Sequence, residues 1–239
     1  TKLRFFMGNK IEGDGFSVNI IKSSRRKTMA LKVNHRGVSI HMPSNLTLST
    51  AQKFITQKTA WIKLKLEQQA LRQPITRQYI DGESFLFLGE NYQLRLHQQE
   101  TSPTVNKVGN ELTFSGRITR LSPSTIKKTL IDWYKQQAEL YLTSRTHVLG
   151  EQTGLIPRSI TVKTYKARWG SCKITGDIQF NWKLMLAPPA VIDYVIVHEL
   201  CHLVHHNHSA TFWQLVTHHY PNVKLARRWL KEHGYRLEI

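Results

Sequence analysis

Three short segments near the N-terminus alternate apolar with polar residues: Phe16-Val18-Ile20, Met29-Leu31-Val33 and Val38-Ile40-Met42. A period of two predicts strands with one buried face, and His35-Arg36-Gly37 predicts a hairpin turn between the second and third. From Thr50 the period lengthens. Ala51, Phe54, Ile55, Lys58, Trp61, Ile62 and Leu66 recur at helical spacing, so one amphipathic helix is expected from an N-cap at Ser49 or Thr50 to about Leu71, with Pro74 ending it. Asp81-Gly82-Glu83 reads as a turn into Phe85 and Leu88. Tyr92-Leu94-Leu96 alternates again, and Leu112 with Phe114 makes a last short strand. The first half is thus expected to be a small β-rich unit carrying one long helix.

The second half reads differently. After a polar passage from Ser115 to Ser124, a long helix begins near Ser124 with Ile126, Leu130, Trp133, Ala138, Leu140 and Tyr141 on its apolar side. Gly150 or Gly154 stops it. The domain boundary is expected here, with a β-rich domain over 1–118 and a second domain over 119–239. Pro157 to Thr164 reads as a strand, and Thr175-Gly176-Asp177 turns the chain into Ile178-Gln179-Phe180. Pro188-Pro189 opens a helix with the apolar run Val191, Ile192, Val195, Ile196 and Val197. Ser209 is placed to cap a helix holding Phe212, Trp213 and Leu215, and a final helix holds Leu225, Trp229 and Leu230. No internal repeat is visible. The fold class expected from these elements is α+β.

The apolar helix after Pro189 runs into His198-Glu199-Leu200-Cys201-His202, the H-E-x-x-H pattern of helical zinc sites. At 3.6 residues per turn, His198 and His202 share one face about 6 Å apart along the axis, and both imidazoles can reach one ion. Glu199 points roughly 100° away from His198 and flanks that ion, where a carboxylate can take a proton from water. A catalytic zinc needs a third protein ligand. On a straight helix His205 and His206 lie about 10 and 12 Å from His198, too far to converge. His208 can do so if the helix ends near His206-Asn207 and the chain folds back, and Asn207 tolerates the left-handed conformation such a break uses. His208 is therefore the expected third ligand, and the pair His218-His219 is expected on the surface or in packing. The metzincin pattern does not fit, because position 205 is His rather than Gly and all four methionines precede His198.

Charge and cysteine content add partners and compartment. The net charge is +18, from 34 Lys and Arg against 16 Asp and Glu, with +10 in residues 1–119 and +8 in 120–239. Such an excess favours polyanions, nucleic acid first. Lys22-Ser23-Ser24-Arg25-Arg26-Lys27 is the densest basic cluster, so Arg25, Arg26 and Lys27 are candidate phosphate-binding residues. Two cysteines, Cys172 and Cys201, form no disulfide framework and suit a reducing cytosol. No apolar run reaches 18 residues and Thr1-Lys2-Leu3-Arg4 shows no signal peptide, so a cytoplasmic protein without a membrane span is expected. The oligomeric state has no sequence signature.

Ala167-Arg168-Trp169-Gly170-Ser171-Cys172, Phe180 to Pro189, and Val191-Ile192-Asp193-Tyr194-Val195 through to Phe212-Trp213 closely resemble the YgjP-like metallopeptidase-domain family, which is akin to the SprT-like and WLM zinc peptidases. Asp81-Gly82 and Phe87-Leu88-Gly89 extend the resemblance, less specifically, into the first half. It implies a mainly helical, zincin-like catalytic domain with a small β-sheet whose edge lines the cleft. It also implies Zn²⁺ ligands at His198, His202 and His208, with Glu199 as catalytic acid and base. Arg168 and Trp169 then have two readings. Either they border the cleft, with Arg168 steadying substrate or oxyanion, or Trp169 packs in the core while Arg168 holds a carboxylate such as Asp193. The expected activity is that of a zinc-dependent metallopeptidase acting on a peptide or protein substrate. The alternatives are hydrolysis of a nucleotide phosphoanhydride on the same site, and a nucleic-acid-associated protein with a peptidase-like zinc site.

Overall fold

Alternating burial builds the first sheet. The computed structural model describes residues 10–34, 37–70, 76–100, 102–117 and 122–239. Strands β1 (Lys10–Glu12), β2 (Ser17–Ser23), β3 (Ala30–Asn34) and β4 (Gly37–Pro43) lie in the order β1-β2-β4-β3. The central pair β2–β4 is parallel and both flanking pairs are antiparallel. The three alternating segments are β2, β3 and β4; β1 is too short to show a period. The turn expected at His35-Arg36 lies outside the described residues.

The single helix expected to run from Ser49 or Thr50 is instead two, α1 (Leu48–Gln57) and α2 (Thr59–Ala70). Thr47 is the N-cap, its hydroxyl accepting from the Thr50 N–H at 3.2 Å. The chain breaks at Lys58 (φ −104°, ψ 8°), whose N–H bonds to the Ile55 carbonyl at 3.0 Å. Thr56 and Thr59 donate their hydroxyls to the carbonyls of Gln52 and Ile55, and such back-bonding bends helices. The end expected near Leu71 and Pro74 is not among the described residues. Ala51, Ile55 and Ile62 close the core of this unit against Ile11, Val18, Ile20, Val38, Ile40 and Met42.

The same strand pattern then occurs again. Strands β5 (Ser84–Phe87), β6 (Glu90–Gln98), β7 (Thr104–Val108) and β8 (Glu111–Gly116) lie in the order β5-β6-β8-β7, with a parallel central pair between antiparallel neighbours. The topology is duplicated although the sequence shows no repeat. This sheet packs on α3 (Pro123–Thr153): the Phe87 and Trp133 rings lie 5.1 Å apart, and the Tyr134 hydroxyl donates to the Leu86 carbonyl at 2.6 Å. Gly154, left-handed at φ 71°, ends α3, while Gly150 lies buried inside it.

The chain divides into two compact units, Thr1–Pro74 and Ile75–Ile239. The boundary expected between 118 and 119 therefore falls inside the second unit. Sheet β5–β8 shares its core with α3, so strands that read as part of the first half belong with the helices of the second.

A third sheet, β10-β11-β9, is built from β9 (Ser159–Lys163), β10 (Gly170–Cys172) and β11 (Asp177–Asn181). β11 pairs in parallel with β9, and β10 is an edge strand. Beside β10 runs α4 (Pro189–Cys201), which also touches α3, α5 (Ala210–His219) and α6 (Val223–His233). Enclosed this way, α4 buries nine of its thirteen residues, which is why it reads as apolar on all sides. The α+β class holds. Among the described residues no helix is long and apolar enough to cross a membrane.

Candidate metal centre

α4 stops earlier than its histidines suggest. It ends at Cys201 with His202 as C-cap, and the N–H groups of Leu203 and Val204 bond back to Leu200 and Cys201 in a tightened last turn. The break expected near His206-Asn207 is thus about one turn further on than the real one. Asn207 is not left-handed either. Its Oδ1 accepts from the Ser209 N–H at 3.1 Å, and Ser209 caps α5 by accepting from Phe212 N–H. The fold-back of His208 is nevertheless achieved. Nε2 of His208 lies 3.1 Å from Nε2 of His198, and one nitrogen from each of His198, His202 and His208 falls within 4.8 Å of the others.

The rings are held by their surroundings. Phe212 stacks on His202 with centroids 4.4 Å apart, and Trp213 lies against His208 at 5.6 Å. Nδ1 of His202 is 2.8 Å from the His205 carbonyl, so it carries the proton and leaves Nε2 with a free lone pair. Nδ1 of His198 is buried without a hydrogen-bond partner among the described residues. Burial, followed by the nearby His202 and His208 rings, lowers the His198 pKa to about 3; burial also lowers that of His202. Both are therefore neutral at pH 7, the form that binds metal. Ligand nitrogens around a tetrahedral ion with bonds of about 2.0–2.1 Å stand roughly 3.3 Å apart. The converging imidazoles fit a divalent transition metal and do not suit Mg²⁺ or Ca²⁺, which prefer oxygen.

Glu199 is only 6 % exposed and faces the edge strand β10. A Cβ at Gly170 would lie 2.7 Å from both Cγ and Oε1 of Glu199, so only glycine lets the strand come this close. Burial pushes the Glu199 carboxyl up to about 8, with the Arg168 cation pulling the other way. His198, Glu199, His202, His206, His208, Arg168 and the strand Gly170-Ser171-Cys172 line one cleft of about 460 Å³.

Of the two readings for Arg168, the structure favours the cleft. Asp193 is held instead by Arg145 in a bidentate pair, both bonds 2.8 Å. Trp169 is half-buried, packed against the core and close to Gly234. His205 contributes its carbonyl, His206 stands at the rim, and His218 and His219 pair with each other outside the triad. Arg25, Arg26 and Lys27 belong to the first unit. Sequence reasoning gave no role to Gly170 and Asn181, although both lie in the stretches that carry the family resemblance. The buried Asn181 amide donates to the carbonyls of Tyr165 and Arg168 (3.1 Å each) and so fixes the loop that delivers Arg168. Cys172, also in the cleft, has its thiol pushed up to about 11 by burial and then by Glu199 and Asp177.

The YgjP-like metallopeptidase domain matches residues 27–233 of this chain. Among curated proteins none matches it. The crystal structure of the metallopeptidase zymogen abylysin from Pyrococcus abyssi is similar over 38 % of this chain and 93 % of that one, with 18 % identity and a TM-score of 0.35. A match spanning both compact units, and including every residue of the histidine cluster, places the chain in the YgjP-like metallopeptidase-domain family.

Proposed function

We propose that this chain is a zinc-dependent metallopeptidase in which His198, His202 and His208 hold Zn²⁺ and Glu199 moves the protons. The observation that carries the reading is the convergence of three imidazole nitrogens beside a buried carboxylate in an open cleft. Bound there, Zn²⁺ supplies Lewis acidity, acidifying water and polarising a carbonyl. With a divalent ion beside it keeping its carboxyl ionised, Glu199 would take a proton from the attacking water and return it to the leaving amine. Gly170 allows the strand edge to close over that carboxylate and exclude water from one side. Among the described residues β10 pairs with β11 along one side only, so an extended substrate backbone can add to its other edge. Arg168, exposed at the rim and held through Asn181, is placed to meet a carbonyl or carboxylate of the substrate.

The phosphoanhydride alternative gains no support from the site. Such hydrolysis commonly uses two metals, and the histidine triad is the one metal-binding group among the described residues.

The test is turnover of a peptide panel and a nucleotide panel by zinc-loaded protein, with metal content measured in parallel. Glu199→Gln should keep the metal and lose about 10²–10⁴-fold in peptide turnover. His208→Ala should lose the metal while His205→Ala keeps it. Nucleotide turnover without peptide turnover would overturn the substrate class.

A further inference from the structure

The division at residue 74 changes the picture of the charge. Residues 1–74 hold 14 Lys and Arg against 3 Asp and Glu, a net +11, whereas residues 75–239 hold 20 against 13, a net +7. Less than a third of the chain thus carries more than half of the positive excess, in a unit with its own core and none of the candidate metal ligands.

The duplicated sheet supplies an internal comparison. On the outer face of β5–β8, Arg95 is neutralised by Glu111 at 2.9 Å and Asp81 at 3.3 Å. On the face of β1–β4 turned away from its core, the cross-strand row is Lys10, Asn19, Ser39 and Lys32, and the next row holds Ile21, His41 and Ala30. Lys10 and Lys32 are exposed and have no carboxylate partner among the described residues. Glu12 is the acid on this face, at the corner nearest Ser17. At the opposite end, Ser23 leads into the loop carrying Arg25, Arg26 and Lys27, tied down by the bond from Ser44 N–H to the Ser23 carbonyl. Among the described residues the Arg26 side chain donates to the Thr28 carbonyl, at 3.5 Å, and to no carboxylate. Loop and sheet face share one positive field, since Arg26 and Lys32, after burial, both disfavour the charged form of His41.

We propose that the first unit is a nucleic-acid-binding module whose basic loop and polar sheet face hold the phosphate backbone without regard to sequence. Lys and Arg beside Asn and Ser hydroxyl and amide groups are the partners phosphate oxygens take. No Phe, Tyr or Trp lies in these cross-strand rows on which bases could stack, so the contacts carry position rather than sequence. An anionic membrane would find only Ile21 and the small Ala30 as apolar side chains in these rows, which leaves little to insert. The proposal does not depend on the peptidase reading.

The full-length protein is titrated with random-sequence DNA of about 20 nucleotides, single-stranded and duplex, from about 50 to 200 mM NaCl. Affinity should fall steeply with salt and vary little with sequence. Arg25→Gln, Arg26→Gln and Lys27→Gln together should weaken binding at least about tenfold and reduce the log–log salt slope by up to about 2.7 on duplex and 2.1 on single strands. Lys10→Gln with Lys32→Gln, on the strands, should act in the same direction. Lys224→Gln, Arg228→Gln and Lys231→Gln on α6 remove the same charge from the other unit and should leave affinity within about threefold. The proposal is overturned by three results: no wild-type binding at about 50 mM salt, equal losses in the loop and α6 variants, or preferential binding to phosphatidylserine vesicles that DNA does not compete away.

Discussion

Glu199 lies between an apolar helix and a strand edge, and its carboxyl bears the cost of that position. An unfolded glutamate titrates near 4.5 and this one near 8. Between those values the unfolded chain has shed a proton that the folded chain keeps, so in metal-free protein this group makes stability fall as pH rises. His198 acts at the other end. Its folded pKa of about 3 against an ordinary 6.5 means that stability is fully present above 6.5 and is lost as pH falls below it. Metal-free Glu199→Gln should therefore unfold several degrees higher than wild type at pH 8, by up to about 4 kcal/mol. The gain should be nearly gone at pH 4.5, where the folded carboxyl is protonated and the unfolded one is already half protonated. Thermal melts of chelated protein at the two pH values measure it, and an equal gain at both would mean the carboxyl's burial is not the cause.

Strand β10 is the element that turns a histidine pair into a covered site, and its approach rests on Gly170. Gly170→Ala must push either the strand or the Glu199 carboxylate aside, because the added methyl would sit 2.7 Å from Oε1. On the proposed function, peptide turnover should fall at least about tenfold with metal content unchanged, since the proposed general base loses its alignment. Turnover within twofold of wild type would show that strand and base move independently. This coupling was hidden in the sequence, whereas the imidazoles were not. His198 and His202 are one helical turn apart whatever surrounds them, and His208 joins their cluster although the straight helix assumed in setting aside His205 and His206 already ends at Cys201. Gly170 and Asn181 act on partners brought near by β11, a pairing that no local period encodes. The break at Lys58 was hidden for a different reason: it arises from flanking threonine hydroxyls, and Lys58 itself is a good helix former. Alternation did show β2, β3, β4 and β6, but it could not show that the two sheets share one strand order.

Considered as a whole, the molecule is divided by its cores and not by its change of period. Phe87 packs on Trp133 and Tyr134 bonds to Leu86, so a chain cut between 118 and 119 leaves α3 without the sheet that covers it. A 75–239 fragment should melt cooperatively, while a 119–239 fragment should show no cooperative transition; circular dichroism on both decides it. A cooperative melt of the shorter piece would mean that α3 and α4 suffice. The order in which this unit can assemble follows from the placing of its histidines. All three imidazoles come from eleven consecutive residues, His198 to His208, and closing so short a segment takes about 10–100 ns. Gly170, which brings the strand edge against Glu199, lies 29 residues upstream and arrives only when the third sheet has formed. The three imidazoles and the strand that encloses Glu199 therefore come together through contacts of very different range along the chain.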